Sequence, residues 1–143
     1  YHGLPISELK KSHCACQPNQ TICQEKNSRC YRAQCYTTTR LLAEALGLKA
    51  ETYATSFQSK MGRSAWTEPD TVSMLATLRQ RGIKTLSVMC PSFTADCLET
   101  LEEIGVRAKA HWRRLGGETL TLIPCLNHHS DWVQGLKTII EAG

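Results

Sequence analysis

Two glutamates four residues apart, Glu99 and Glu103, sit in the run Val88-Met89-Cys90-Pro91-Ser92-Phe93-Thr94-Ala95-Asp96-Cys97-Leu98-Glu99-Thr100-Leu101-Glu102-Glu103. At helical spacing such side chains are neighbours, and like charges there cost roughly 0.2–0.5 kcal/mol. A cation nearby reverses that sign. Close carboxylates can instead share a proton, which pushes one pKa upward and suits acid/base work. A solvated acidic helix face is the plain alternative. His2 is the second residue of interest: it ends an extended run just before a Gly3-Leu4-Pro5 turn. In open α/β sheets ligands bind where strands end, so the address is functional, although an incidental histidine would look the same.

The third chemical feature is a set of cysteines. Of eight in the chain, Cys14, Cys16, Cys23, Cys30 and Cys35 fall within 22 residues. Residues 6–34 are otherwise polar and offer little to bury, so the segment is expected to lack order unless cross-linked. In a reducing compartment dense thiols point to a soft metal centre, either zinc or an iron–sulfur cluster. The spacing departs from common zinc modules, which place two to four residues between paired cysteines. Five candidates for four ligand places leave one spare.

These groups need elements to carry them. A helix is expected over residues 34–46, with Leu41, Leu42, Ala45 and Leu46 apolar and Gly47 as its stop. Residues 49–56 read as a strand running into the polar loop Phe57-Gln58-Ser59-Lys60-Met61-Gly62, with Trp66 beyond it as a pocket wall or a cover for the core. Residues 71–81 read as a helix burying Val72, Met74, Leu75 and Leu78, and residues 83–89 as a strand. The glutamate helix follows, its apolar side formed by Leu98, Leu101 and Ile104, and frays into a basic run around Trp112 that reads as a solvated surface helix. A short strand over 120–123 and a closing helix over 130–141, apolar through Trp132, Val133, Leu136, Ile139 and Ile140, complete the chain. Alternating strands and helices predict an α/β fold, an open parallel sheet with helices on both faces, plus an irregular cysteine-rich insertion. His2, the loop from Gln58 to Trp66, and the segment from Asp96 to Glu103 should then converge at one edge of the sheet.

At 143 residues the chain is about one domain. Its 17 Lys and Arg against 13 Asp and Glu give a net charge of +4, too modest to argue for nucleic acid or a membrane. No apolar run approaches the roughly 20 residues that cross a bilayer, and the opening has no signal-peptide pattern, so a cytoplasmic protein is the default. Tyr1-His2 reads as the end of a strand whose beginning is missing, and the expectation is a fragment of a longer protein.

Five segments, in order, resemble the C-terminal half of ferrochelatases. They are Tyr1-His2-Gly3-Leu4-Pro5, Cys35-Tyr36-Thr37-Thr38-Thr39-Arg40, Phe57-Gln58-Ser59-Lys60-Met61-Gly62 with Trp66, Val88-Met89-Cys90-Pro91 with Ala95-Asp96-Cys97-Leu98-Glu99-Thr100-Leu101-Glu102-Glu103, and Ile123-Pro124 with Leu126-Asn127. The resemblance implies a chelatase-like, Rossmann-type half whose enzyme inserts ferrous iron into protoporphyrin IX to form protohaem. It implies His2 as the active-site histidine, opposed by Glu99 across the porphyrin, with Glu103 next on an acidic ladder along a helix distorted towards a π-helix. His2 and Glu99 would touch the substrate iron. Gln58, Ser59, Lys60 and Trp66 would line the porphyrin site. Arg107 takes the third place of the ladder, and Cys97 stands where many relatives have a second histidine.

Residues 6–34 replace a short loop of most relatives. They are similar to the insertion by which some microbial members hold a 2Fe-2S cluster, which implies Cys14, Cys16, Cys23 and Cys30 as ligands, with zinc as the alternative. Such a cluster would be structural or sensory, and its loss would unfold the insertion beside His2. The implied partners are porphyrin, ferrous iron and the missing N-terminal half of the same protein, without which the fragment should be inactive. The implied location is the cytoplasm, with peripheral contact at the inner membrane as the alternative. Other readings are a tetrapyrrole chelatase for cobalt or coproporphyrin, or a non-enzymatic module sensing iron or redox state.

Overall fold

The computed structural model describes residues 1–11 and 29–143. Two four-residue segments, Thr-Leu-Ser-Val and Thr-Leu-Thr-Leu, alternate small polar with aliphatic side chains and form β1 (Thr85–Val88) and β2 (Thr119–Leu122). They pair in parallel, Thr85 opposite Thr119 and Val88 opposite Leu122, which turns Leu86, Val88, Leu120 and Leu122 to one side. Each strand follows a helix ended by a glycine at positive φ. Gly82 (φ 84°) closes α3 (Thr71–Gln80) and Gly116 (φ 86°) closes α5 (Lys109–Arg114), both in the left-handed region that a Cβ disfavours. Asp70 caps the start of α3 by accepting from the Ser73 amide at 3.0 Å and the Ser73 hydroxyl at 2.6 Å.

The crossover from β1 to β2 runs through α4 (Leu98–Leu101), a π-helical turn (Glu103–Ala108) and α5. The π-helical turn and α5 pack on β2, and α3 packs on α5. Leu75, Cys90, Ile104, Ala108, Trp112 and Leu120 form the buried centre. Trp112 is wholly buried, and its indole N–H donates to the Lys84 carbonyl at 3.2 Å, so its one polar atom is satisfied. The basic run around Trp112 is therefore anchored into the core, where a solvated surface helix was expected.

Upstream lie α1 (Ile6–Lys11), α2 (Tyr31–Ala45) and a 3₁₀ turn (Ala50–Thr52), and α6 (Ser130–Ala142) closes the chain. Several expectations are corrected here. Residues 6–11 form α1, in which Ile6 and Leu9 supply two apolar side chains one turn apart and both are buried. Residues 49–56 form no strand. Their loose alternation resolves into the 3₁₀ turn and extended chain, with pairing only at Phe57 and Gln58. In α2 the buried face is Arg32, Ala33, Cys35 and Ala43, whereas Leu41 and Leu46 are exposed. Leu98 and Leu101 are exposed, leaving Ile104 as the buried member of that trio, and α3 exposes Val72. The amphipathic α6 buries none of its residues among those described. Residues 12–28, the middle of the insertion with Cys14, Cys16 and Cys23, lie outside the described residues.

Gly117 carries a sharp steric demand: a Cβ there would fall 2.2 Å from the Trp112 ring. Gly117→Ala in the complete protein is expected to cost about 1–3 kcal/mol of stability. Urea unfolding checks this, and an unchanged midpoint would mean that Trp112 can shift at no cost.

Candidate active site

The loops after β1 and β2, the opening residues and the extended segment at Phe57 and Gln58 meet at the C-terminal ends of the strands. Gln58 is the junction. Its amide donates to the Tyr1 carbonyl and its carbonyl accepts from the Gly3 amide, each at 2.8 Å, so His2 pairs with Gln58 in a parallel bridge. Its side chain faces the other way. The carboxamide N–H donates to the Glu99 carbonyl at 2.6 Å and to the Glu103 carboxylate at 3.3 Å, while its oxygen accepts from the Cys90 thiol at 3.4 Å. Gln58 is 3% exposed, and a buried amide needs these partners.

Glu103 accepts further bonds from the Ser59 amide at 2.7 Å and the Ser59 hydroxyl at 2.8 Å. Ser59 has φ 65°, a left-handed conformation that a serine holds here with both donors aimed at one carboxylate. Beyond Glu103 the helix closes over five residues: the Arg107 amide bonds the Glu102 carbonyl at 2.9 Å. That extra residue carries Arg107 off the Glu99–Glu103 column, and its guanidinium pairs with the Glu102 carboxylate at 2.8 Å in solvent. The helix is thus π-distorted as the resemblance implies.

His2 is held at its backbone by two side chains. Its amide donates to the Ser92 hydroxyl at 3.0 Å, and the Tyr31 hydroxyl donates to its carbonyl at 2.8 Å. The ring lies against Phe93, centroids 6.1 Å apart. Nδ1 sits 2.5 Å from the Gly3 carbonyl oxygen, and because a carbonyl can only accept, Nδ1 carries the proton. In the neutral ring the lone pair then resides on Nε2. The Glu99 carboxyl is held below the ordinary carboxylate range, first by its own backbone N–H, then by the Cys97 thiol. A proton shared between Glu99 and Glu103 would push the other way.

Spacing gives no role to a second group that the structure places beside these residues. Asp96 exchanges two hydrogen bonds with Asn127 and accepts from the Cys125 amide and the buried Thr100 hydroxyl. Those donors, Asn127 first, hold the Asp96 carboxyl low, while burial and Asp96 push the Cys125 thiol up to about 11. The available signal was Asp96 preceding a helix start and an Asn following Pro124, both turn-forming types.

A family model described as Ferrochelatase matches residues 1–143. The chain belongs to the ferrochelatase family. It is 49% identical over 143 residues to a protein named ferrochelatase from Legionella pneumophila (strain Lens), covering 99% of this chain and 43% of that relative. It is 51% identical over 150 aligned positions to a ferrochelatase of Coxiella burnetii (strain Dugway 5J108-111), covering 99% of this chain and 41% of that relative. The chain therefore spans about two fifths of the length of these relatives.

Within this ferrochelatase-family chain the structure brings His2, Gln58, Ser59, Glu99 and Glu103 together. Trp66 joins them through the backbone: its neighbour across an antiparallel bridge is Pro5, and its indole N–H is taken by the Ser64 hydroxyl at 3.1 Å. Lys60 is exposed and lends its charge to Asp70, whose carboxyl is held low against its burial by Ser73. Among the described residues no helix is long and apolar enough to cross a membrane, and no group of three or more His, Cys, Asp or Glu is arranged to hold a metal ion. Gly3 sets the approach of the His2 segment to Gln58, since a Cβ there would lie 2.8 Å from the Gln58 carbonyl and 3.2 Å from the Trp66 ring. Gly3→Ala is expected to destabilise the complete protein by about 1–3 kcal/mol and to speed exchange of the Gln58 amide, read by urea unfolding and hydrogen exchange.

Proposed function

We propose that this chain is the C-terminal part of a ferrochelatase that inserts ferrous iron into protoporphyrin IX to form protohaem. The observation that supports the reading is that Gln58 joins the segment carrying His2 to the glutamate helix: its backbone pairs with that of His2, and its carboxamide bonds the Glu99 main-chain carbonyl and the Glu103 carboxylate. Metal insertion releases two pyrrole protons as a divalent ion enters. A neutral imidazole whose other nitrogen is already donating is suited to receive one of them. Carboxylates suit a partly hydrated hard cation, and Glu99, held ionised, is the group nearest that task. Glu103 accepts three bonds from Ser59 and Gln58, and these steady the column. Ser59, Lys60 and Trp66 would border the porphyrin on the Gln58 side. Because the chain spans about two fifths of its relatives' length, the 143 residues alone are expected to insert no iron.

A 2Fe-2S cluster on Cys14, Cys16, Cys23 and Cys30 belongs to the same proposal. Four thiols are a fitting donor set for it. Cys30, the one of the four within the described residues, is wholly buried beside Ala33 and Tyr36 at the start of α2. Cys35 stays outside the set on the resemblance, since its segment matches relatives that lack the insertion; it is buried in α2. When bound, the cluster would supply a one-electron couple, for which metal insertion has no use, so its role is structural or sensory. Tyr31, next to Cys30, is the residue that bonds the His2 carbonyl and would link the two.

In the complete protein, His2→Ala and Glu99→Gln are each expected to lower the rate of iron insertion by at least about 100-fold with the fold intact, measured by porphyrin fluorescence loss under anaerobic conditions. Rates within about tenfold of the parent would sink the catalytic assignment. Anaerobically purified protein is expected to show visible bands that dithionite bleaches, with iron and sulfide near equal. A colourless protein containing zinc would overturn the cluster while leaving the catalytic reading in place.

A further inference from the structure

The segment Pro124-Cys125-Leu126-Asn127 follows β2 and is left without a role by the chemistry above. Its side chains nevertheless reach the turn that precedes Glu99. The Asn127 amide donates to the Thr94 carbonyl at 2.8 Å, its side-chain oxygen accepts from the Asp96 amide at 2.9 Å, and its side-chain N–H₂ donates to the Asp96 carboxylate at 2.8 Å. The same N–H₂ reaches the Cys125 carbonyl at 3.1 Å, which fixes the orientation of the carboxamide. Asn127 itself has φ 48°, a conformation that asparagine and glycine tolerate better than other residues.

Asp96 passes this constraint on. Its carboxylate accepts from the Cys125 amide at 3.2 Å and shares the single proton of the Thr100 hydroxyl, at 3.3 Å, with the Cys97 carbonyl at 3.1 Å, and that hydroxyl accepts from the Cys97 amide at 3.0 Å. Cys97 and Thr100 bracket Glu99 in the first turn of α4. The two loops can meet because β1 and β2 end in register, with the Ile123 amide bonding the Val88 carbonyl at 2.8 Å.

We propose that Asn127 is a positioning residue for metal insertion, clamping the turn that presents Glu99 through Asp96. The inference rests on Glu99 acting as described under the proposed function. Asn127 bonds Thr94, Asp96 and Cys125 and not His2, Glu99 or Glu103, so its effect must pass through the turn.

Asn127→Gly in the complete protein is the test, because glycine keeps the left-handed backbone and deletes only the side-chain bonds. Steady-state kinetics with protoporphyrin and Fe²⁺ are expected to show kcat lower by about tenfold to a hundredfold, with the porphyrin KM within about twofold of the parent. A kcat within about twofold of the parent overturns the proposal. So does a porphyrin KM that rises as much as kcat falls, since that marks general loosening of the pocket. Asn127→Asp keeps the acceptor for the Asp96 amide but replaces the donor with a like charge, and is expected to lose at least as much kcat. If Asn127→Gly does not fold, Asn127→Asp decides by the same criteria. A parent enzyme that inserts no iron overturns the proposed function and this inference with it, whereas an active parent with an indifferent Asn127 variant overturns the inference alone.

Discussion

A buried carboxamide must find partners for its two N–H bonds and its oxygen, and leaving one unmet costs about 1–3 kcal/mol. Gln58 meets that demand by joining three parts of the chain: its side chain bonds the Glu99 carbonyl, the Glu103 carboxylate and the Cys90 thiol, and its backbone pairs with the segment carrying His2. Gln58 thereby ties the glutamate column through its side chain and the segment carrying His2 through its backbone. Gly3 supports the same contact from beneath, where the backbones approach too closely for a Cβ.

The glutamate column is constrained at both of its ends. Asn127 and Asp96 hold the turn before α4, while Ser59 and Gln58 hold Glu103 at the start of the π-helical turn. Between these anchors lies Thr100, wholly buried and bonded to the turn behind it. The π-helical geometry begins where the second anchor ends, so the irregular helix hydrogen bonding falls next to a residue whose carboxylate is already bonded to another segment. Irregular turns of this kind recur at functional positions, and here the neighbouring bonds keep it in register.

Much of this fold was legible in the residues. The alternation in Leu86-Ser87-Val88 and Leu120-Thr121-Leu122 gives both strands, and Gly82 and Gly116 mark the helix ends before them; His2, Gln58, Ser59, Glu99 and Glu103 converge, although of these only Glu99 and Glu103 follow a strand, while His2 and Gln58 meet in an isolated bridge. What misled was apolar character without knowledge of what covers it. Leu98, Leu101, Val72 and the apolar side of α6 look like core residues but are exposed among the described residues of a chain that spans about two fifths of its relatives. Residues 49–56 failed as a strand because pairing, which alternation alone does not supply, is confined to Phe57 and Gln58. Trp112 was misplaced for the opposite reason, since its charged neighbours hid a side chain that the core requires. The Asn127–Asp96 clamp was invisible because hydrogen bonds between residues about 30 positions apart leave no periodic trace.

The register of β1 on β2 has a kinetic side. Thr85 and Thr119 pair across 34 residues, and the enclosed loop contains Asp96, Glu99, Glu103 and the whole π-helical turn. Parallel pairing of this kind must meet the entropy of closing that loop before the strands reward it, which places it late in folding. The clamp between the two loops depends on those strands ending side by side. Glu99 therefore acquires its fixed place in the same event that completes the sheet, and a nascent chain that has made α4 but not β2 holds the carboxylate without the geometry.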